Sequence, residues 1–412
     1  MALYAFDGTW NEDEEDPADD TNVVKFRDIY RRNGGRAEFI PGVGTRFGSI
    51  GRFFGGVFGM GGQTRIEEMY DKLVANWQND DHVIDIVGFS RGAALGLHFA
   101  NVIDQAGIKD GDTVLEPNPT VRFLGLWDVV ASFGIPINFV LNFHDINLGY
   151  DLTVPASVGK CAHAMALDER RQTFRVTRLN RHNSLANVEE VWFRGVHSDV
   201  GGGNDNAALS NIAMHWMLQR AAEAGLPIEP ADLDNFSSFD RFAPPGENLD
   251  PIQNPKRVVL ADDQIHPTAR GAALAVGESR EFTVFAKHQF NWSGVRVVAG
   301  GRYVFEIPDG EKWKDKCIVC GPDGWLSEDL PWYKEEFVEL LEGRRRVPKA
   351  NWFELIGSIG DDEDLYFRIG KGGDGAPYDA PEDGELYAFA NDLRSMYGNN
   401  AGELSVTVRR IS

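Results

Sequence analysis

Cysteine is scarce in this chain of 412 residues, which contains only three. So small and odd a number cannot build a disulfide framework, and it suits a reducing compartment. Long hydrophobic runs are missing as well, because no stretch approaches the ~18 uninterrupted apolar residues that a transmembrane helix needs. The first residues carry neither the basic region nor the apolar core of a Sec signal peptide, so we expect synthesis in the cytoplasm without one.

Positive charge is in deficit. Lys and Arg total 41 against 63 Asp and Glu, which gives a net charge of −22. Such a surface repels phosphate backbones, so we expect no nucleic-acid partner. It also provides no long-range attraction to anionic lipid surfaces.

The first half of the chain alternates short apolar strands with helical patterns. Strands are predicted at residues 2–6, 82–87, 121–127 and 190–196, and helices at residues 65–77, 91–106 and 211–224. Strands that alternate with helices form a parallel sheet covered on both faces. We therefore predict an α/β domain with a mostly parallel sheet over residues 1–226.

The rest of the chain divides into two parts. Prolines interrupt residues 227–275, which we interpret as a linker or as an extension of the first domain. Short strands separated by Gly, Asp and Pro follow, predicted at residues 282–285, 295–298, 303–307, 352–356, 386–389 and 404–408. This pattern predicts an all-β sandwich over residues 276–412. Two domains of different class suggest catalysis combined with attachment.

A G-x-S-x-G motif at residues 88–92 lies between an apolar strand and an Ala-rich helix. That context is typical of a nucleophile elbow, in which the two glycines leave room for a sharp strand-to-helix turn. Ser90 would then be exposed at the carboxyl end of the sheet. It would also lie at a helix N-terminus, where the helix dipole favours a developing oxyanion. The motif predicts a serine nucleophile in an α/β-hydrolase-like domain.

A serine nucleophile requires a base and an acid that orients the base, and after this elbow they follow in the order Asp or Glu, then His. Asp128 ends one apolar strand and His197 ends another, so we predict them as acid and base. His266 is the alternative base, and His163 is a weaker candidate because it follows no clear strand. Asp199 competes with Asp128, but it lies too close to His197 in sequence to be preferred.

The oxyanion hole needs two backbone donors. The first should be the N–H of Arg91, the residue after the nucleophile, and the second should come from a loop after another strand. Gly8 and Thr9 follow the first strand, so we predict the second donor there. Asp7 lies beside them, and we expect it to organise this loop through hydrogen bonds.

Five motifs in a fixed order carry a resemblance to a known family. They read F-D-G-T-W-N, G-F-S-R-G-A, L-W-D, L-D-E-R-R and W-F-R-G-V-H-S-D-V-G-G-G, and begin at residues 6, 88, 126, 167 and 192. Over residues 3–226 the chain resembles the α/β-hydrolase family that includes the catalytic domains of type VI secretion phospholipase effectors.

The resemblance implies that Ser90 is the nucleophile, Asp128 the acid and His197 the base, in agreement with the argument from strand ends. It implies an ester hydrolase that needs no cofactor for catalysis and acts on phospholipids. It also implies delivery outside the cell by a type VI secretion system, with a secretion-machine or immunity protein as partner.

A second resemblance concerns the C-terminal part. Residues 391–408 and 320–324 resemble the two calcium-binding stretches of the bacterial galactose-specific PA-I lectin, within a likeness that spans residues 280–412. Side-chain oxygens suited to Ca²⁺ come from Asp392, Asn399 and Asn400. By resemblance, the carbonyls of Met396 and Cys320 would join them. The alternative is that these Asn and Asp residues only build turns.

Carbohydrate binding is a weaker expectation, because the His and Gln sugar contacts of that lectin have no obvious match in the charged residues 327–349. The leading interpretation is a serine ester hydrolase of the phospholipase A type with a calcium-binding, lectin-like accessory domain. One alternative is a carboxylesterase that acts on small or glycan-linked esters. The other is a calcium-dependent carbohydrate-binding protein whose hydrolase half is a scaffold.

Overall fold

The computed structural model describes residues 1–8, 20–42, 57–131, 152–171, 174–180, 184–204, 206–246, 257–329, 341, 343–372 and 376–412, with the backbone alone at residues 57–63. It contains two compact units, residues 1–248 with 253–269 and residues 249–252 with 270–412. Of the helices in the described ranges, none is both long and apolar enough to cross a membrane.

The first unit is built on a parallel sheet. Its strands and a short hairpin are, in chain order, β1 (Ala2–Phe6), β2 (Arg36–Ile40), β3 (Ile84–Phe89), β4 (Ile108–Asp110), β5 (Thr113–Glu116), β6 (Val121–Trp127), β7 (Val158–Ala166), β8 (Val188–Phe193) and β9 (Gln264–Ile265). β4 and β5 pair only with each other, and the other seven form a sheet in the order β2-β1-β3-β6-β7-β8-β9. Every neighbouring pair in that sheet is parallel.

Helices cover both faces of this sheet. They are α1 (Asn22–Arg32), α2 (Val57–Gln78), α3 (Ser90–Ala106), α4 (His197–Gly201), α5 (Ser210–Glu223) and α6 (Pro230–Asn235). Alternate residues of β1 point to opposite faces, so Leu3 packs in one apolar core with α1 and α5, and Tyr4 packs in the other with α2 and α3. The α/β class predicted from sequence is confirmed.

Among the elements of the first unit that were not predicted are β7, β2 and α1. β7 carries three alanines, a glycine and a lysine, and Val158 is its one β-branched residue, so it has few of the residues that mark a strand. β2 is a short strand at the end of the sheet with two charged side chains. α1 begins after Thr21, whose side chain accepts a hydrogen bond from the backbone N–H of Val24.

The second unit is a β-sandwich. Its strands are β10 (Ser279–Phe285), β11 (Asn291–Val297), β12 (Arg302–Glu306), β13 (Trp313–Asp315), β14 (Ile318–Cys320), β15 (Leu355–Ile359), β16 (Tyr366–Arg368), β17 (Tyr378–Asp379), β18 (Gly384–Ala390), β19 (Asn400–Ala401) and β20 (Glu403–Arg410). Antiparallel sheets β10-β20-β12-β17 and β11-β18-β15-β16 share one apolar core, and β14-β13-β19 form a small third sheet. The predicted all-β class is confirmed.

Candidate active site

Ser90 lies at the sharp turn where β3 meets α3. It is only 5% exposed, so the expectation of an exposed serine is wrong, because the turn packs against its neighbours. Its φ is 59°, in the left-handed region that costs energy for any residue other than glycine. A Cβ at Gly88 would approach the Ala93 backbone to 2.7 Å, and a Cβ at Gly92 would approach the Phe6 carbonyl to 2.3 Å. Both motif positions therefore exclude larger residues, as a nucleophile elbow requires.

Asp128 follows β6, which lies beside the β3 strand that carries the elbow. Its carboxyl is fully buried, and its φ of 41° is again in the left-handed region. The Ala166 N–H donates to Oδ1 at 2.9 Å, and the Val130 N–H donates to the Ser90 carbonyl at 3.2 Å. The turn that holds Asp128 is thus tied to the elbow through the backbone.

His197 begins α4, and its Nδ1 lies 2.6 Å from Asp128 Oδ2. Its ring packs between the rings of Phe89 and Phe174, at centroid distances of 4.6 and 4.8 Å. Phe89 directly precedes Ser90, and its ring needs the space that Gly201 leaves, because a Cβ at residue 201 would come within 1.9 Å of the ring. The structure therefore brings Asp128 and His197 together beside the elbow.

The electrostatics of this pair suit a neutral base. Burial lowers the pKa of His197, and the hydrogen bond and charge of Asp128 oppose that shift without cancelling it. Burial alone would raise the pKa of Asp128, but Arg257 and His197 outweigh burial and hold the pKa well below its usual range. A carboxylate that accepts from Nδ1 leaves Nε2 as the proton acceptor.

Glu169 holds the backbone of His197. The backbone N–H of His197 donates to Glu169 Oε2 at 3.1 Å, and Arg171 donates to both oxygens of Glu169 at 3.0 and 2.7 Å. Burial raises the pKa of Glu169, but these bonds and the Arg171 charge outweigh burial and lower it. Asp168 accepts from the Gly195 N–H at 2.7 Å. The L-D-E-R-R motif thus holds the loop that carries His197.

His163 is a buried histidine in a different role. Its Nδ1 lies 2.8 Å from Glu190 Oε1, and its Nε2 accepts a hydrogen bond from the Val129 N–H at 3.1 Å. His163 therefore fixes the backbone of the turn that follows Asp128. This contact could not be predicted from the sequence.

The predicted oxyanion donors lie partly outside the described residues. Thr9 is not among the described residues. The Gly8 N–H donates to Asp7 Oδ1 at 2.7 Å, and Thr21 donates to Asp7 Oδ2 at 2.9 Å, so Asp7 organises the start of this loop. Burial raises the pKa of Asp7 to about 7. The Arg91 N–H lies in the first turn of α3, and the assignment of Arg91, Gly8 and Thr9 as donors stays a prediction.

The competing candidates lie in other surroundings. His266 follows β9, stacks on the Phe193 ring at 4.8 Å and has its Nδ1 2.8 Å from Thr268 Oγ1. Burial lowers its pKa to about 4. Asp199 accepts from the backbone N–H groups of Val196 and Gly246, both at 2.8 Å, and so fixes the start of α4. The structure pairs neither with Ser90, Asp128 or His197 through a hydrogen bond it describes.

Arg257 contacts the site although nothing in the sequence indicated it. Arg257 comes from the proline-interrupted stretch, and its guanidinium donates to Asp128 Oδ1 at 2.6 Å and to Oδ2 at 3.0 Å. A basic residue in an irregular segment resembles any surface arginine in sequence, so only the folded chain reveals the contact.

The predicted calcium ligands lie close together in the second unit. Asp392 is buried, and its Oδ2 accepts from Asn400 Nδ2 at 3.1 Å. Asn399 Oδ1 and Asn400 Oδ1 are buried, and neither has a hydrogen-bond partner among the described residues. Burial, with the nearby charge of Asp315, raises the pKa of Asp392 to about 6. Buried oxygens without donors fit a hard cation.

Of the two predicted carbonyl ligands, that of Met396 contacts this cluster. The Met396 carbonyl accepts from the Asn399 N–H at 3.1 Å, which leaves one lone pair. Cys320 pairs with Trp313 across β13 and β14, and Asp315 of β13 lies opposite Asn400 of β19. Sequence reasoning missed Asp315. Among the described residues, no group of three His, Cys, Asp or Glu side chains could hold a metal, so a cation here would need amide and carbonyl oxygens as well.

Three solved structures are similar to this chain, at TM-scores below 0.5. An uncharacterized protein from Pseudomonas aeruginosa is 21% identical, with a TM-score of 0.41, over 58% of this chain and 48% of that one. The Tle1 effector bound to the VgrG spike of the type 6 secretion system is 14% identical, with a TM-score of 0.33, over 99% and 68%. The PllA-like lectin domain of EclA is 21% identical, with a TM-score of 0.23, over 32% and 95%.

Sequence comparisons add a family. An uncharacterized protein of Saccharomyces cerevisiae is 33% identical over 64 residues, which are 14% of this chain and 9% of that protein. The chain thus spans less than half of this relative and of the Pseudomonas aeruginosa protein. The model of the T6SS phospholipase effector Tle1-like catalytic domain matches residues 3–114 and 109–220. Because this match takes in more than half of the 412 residues, the chain belongs to the Tle1-like phospholipase effector family.

Proposed function

We propose that this chain hydrolyses carboxylic esters by acyl transfer to Ser90 and then to water. The observation that carries the proposal is the 2.6 Å contact between His197 Nδ1 and Asp128 Oδ2 beside a strained elbow serine. A base oriented in this way next to a serine at a helix N-terminus is the arrangement of serine hydrolases.

The residues perform the reaction in two steps. Ser90 Oγ attacks the ester carbonyl carbon, and its proton passes to His197 Nε2. The tetrahedral intermediate collapses, and the leaving alcohol takes that proton. Water then attacks the acyl-serine, again losing a proton to Nε2, and the carboxylic acid leaves as Ser90 Oγ recovers its proton. The lowered pKa of His197 keeps the imidazole neutral and ready as a base near pH 7.

Phospholipids are the substrate class we propose. The support is family membership, since the matching family is named for phospholipase effectors of type VI secretion. On the same ground we propose that a type VI secretion system delivers the protein, with a component of that machine as partner. The candidate alternative is a carboxylesterase acting on small or glycan-linked esters, which the same triad would serve.

A comparison of substrates separates the two. Purified protein is incubated with mixed phosphatidylethanolamine and phosphatidylglycerol vesicles, and separately with p-nitrophenyl butyrate. We expect fatty-acid release from the vesicles, measured by mass spectrometry, that a Ser90→Ala preparation does not give. Cleavage of the short ester alone would replace the phospholipase by a carboxylesterase. Release of acid from neither would contradict ester hydrolysis.

We infer a second function, calcium binding in the β-sandwich, from the unpartnered oxygens of Asn399 and Asn400 beside the buried Asp392 carboxyl. When bound, Ca²⁺ would neutralise the charge of the Asp392 carboxyl. It would also be coordinated by the two amide oxygens, which have no hydrogen-bond donor among the described residues. The same site is where a calcium-assisted carbohydrate partner would be sought.

Calcium should stabilise the sandwich. Without calcium, the raised pKa of Asp392 makes the native state less stable as the pH rises from about 4 to 6. The reason is that this carboxyl loses its proton at a higher pH in the native protein than in the unfolded chain. At pH 7.5 we expect millimolar CaCl₂ to raise the Tm of a thermal transition by about 5 °C relative to EDTA. The shift should shrink at pH 5, where Asp392 is protonated.

Variants make this test specific. Asp392→Asn should lose the calcium-dependent Tm shift, whereas Asp379→Asn, at an exposed aspartate that pairs with Arg302 in the same unit, should keep it. Equal melting curves in calcium and EDTA at pH 7.5 would exclude the site, and these Asn and Asp residues would then only build turns.

A further inference from the structure

We propose that Arg257 is a positioning residue of the catalytic triad, which locks the Asp128 carboxylate in the orientation that His197 needs. The proposal rests on the proposed function, because it assigns a role within the same reaction. Arg257 lies 37 residues beyond the end of the family match at residue 220, in a stretch whose sequence predicts a linker or extension.

The contact is a two-pronged one. Nη1 of Arg257 donates to Oδ1 of Asp128 at 2.6 Å, and Nη2 donates to Oδ2 at 3.0 Å. The same two nitrogens also donate to the carbonyls of Ala166 and Phe174. Because the side chain is 8% exposed and the carboxylate 0%, this pair is shielded from water. The guanidinium is thereby fixed by the last residue of β7, Ala166, and by the loop that carries Phe174.

The four donors around Asp128 explain what the arginine adds. Oδ1 accepts from the Ala166 N–H and from Arg257, while Oδ2 accepts from His197 and from Arg257. Without the arginine, each oxygen would keep one donor, and the carboxylate could rotate about its own axis. A planar guanidinium opposes that rotation because both prongs must stay in the carboxylate plane.

The charge of Arg257 also acts on the base. His197 faces two carboxylates, Asp128 and Glu169, and one guanidinium, that of Arg257, while Arg171 neutralises Glu169. The carboxylates raise the pKa of His197, and Arg257 lowers it. The arginine therefore extends the range in which the imidazole is unprotonated to lower pH. It does so while also holding Asp128, the acid that orients the imidazole.

The segment that delivers Arg257 is itself anchored to the first unit. Asp263 pairs with Arg178 and accepts from Trp192 Nε1 at 3.0 Å, and β9 extends the parallel sheet beside β8. Asp263 is six positions after Arg257 in the sequence, so this anchor restricts the place from which the arginine reaches Asp128. A catalytic unit cut at residue 226 would lack both.

Two substitutions separate the effect of the Arg257 charge from the effect of its two-pronged contact. In Arg257→Met the acid limb of kcat/KM against pH should move up by about one unit, because the charge that lowers the His197 pKa is gone. Its kcat should fall about 10²-fold with KM little changed, because the acid no longer has one orientation. Arg257→Lys keeps the charge, so its acid limb should stay near wild type while kcat still falls.

A matched control addresses loss of stability. Arg122→Met removes another partly buried arginine that holds a fully buried carboxylate, that of Asp85, through two nitrogens, and it lies away from the triad and from the segment that carries Arg257. It should lower Tm and leave the acid limb where it is in the wild type. An acid limb of Arg257→Met that coincides with the wild type, or an equal shift in Arg122→Met, would overturn the proposal.

A readout independent of turnover keeps the two proposals apart. NMR titration of the His197 ring, with its signal assigned by loss in His197→Gln, should give a higher pKa in Arg257→Met than in the wild type. If the wild type hydrolyses no ester, the proposed function fails while this titration still tests Arg257. If the wild type is active and the His197 pKa is unchanged in Arg257→Met, the positioning role fails alone.

Discussion

Ser90→Ala is expected to lower kcat by about 10⁶-fold, because the acyl-enzyme can no longer form. Its fold should persist, since alanine meets the same steric conditions at φ 59° and removes only one oxygen from a nearly buried position. The measurement is the initial rate on p-nitrophenyl butyrate and on phospholipid vesicles at equal protein concentration, with Tm recorded for both proteins.

Ser210→Ala is the matched control for that variant. Ser210 is a buried serine at the start of α5, and its hydroxyl donates to the Ala207 carbonyl at 3.2 Å. It should keep nearly wild-type activity. A Ser90→Ala protein that retains more than a tenth of the wild-type rate would show that another group carries the nucleophilic step.

Asp128→Asn should cost about 10⁴-fold in kcat. The amide has one oxygen and one NH₂ group, whereas the native carboxylate accepts from Ala166, His197 and both prongs of Arg257. Whichever way the amide turns, its NH₂ group meets donors. If that group faces Nδ1, the imidazole takes the opposite tautomer, and Nε2 can no longer accept the serine proton.

Asp85→Asn provides the comparison. Asp85 is also fully buried and accepts from two nitrogens of one arginine, Arg122, but it lies near the start of β3, away from the elbow. Both variants should lower Tm, since each weakens a buried ion pair. Only Asp128→Asn should lose activity out of proportion to stability. Equal losses of rate in the two would contradict the role of Asp128 in orienting the base.

The parts of the site predictable from sequence are those that depend on local pattern. Ser90, Asp128 and His197 each follow an apolar strand, and parallel strands bring their carboxyl ends to one edge of the sheet. The glycines at 88 and 92 mark the elbow because the turn leaves no room for a Cβ. Strand alternation likewise predicts the β-sandwich, although the strand predicted at residues 352–356 begins at Leu355, after Phe353 with φ 60°.

The parts that sequence could not supply depend on contacts between distant residues. Arg257 meets Asp128 across 129 positions, and Glu169 meets the His197 backbone across 28. No periodicity or spacing in the sequence indicates such pairs. An arginine or glutamate in a loop is usually exposed to solvent, so the sequence gives no reason to expect a buried partner. The supporting role of His163 was not predictable for another reason. Its alanine-rich segment has weak β propensity, so no strand was predicted there and His163 could not be placed in the sheet.

The central claim is that Ser90 is a nucleophile activated by His197, and covalent labelling tests it most directly. A fluorophosphonate phosphonylates serine only where a neighbouring base removes the hydroxyl proton. Peptide mass spectrometry of the labelled wild type should place the adduct on Ser90, and His197→Ala should label at least about 10²-fold more slowly. An adduct on another residue, or equal labelling rates in the two proteins, would contradict the account.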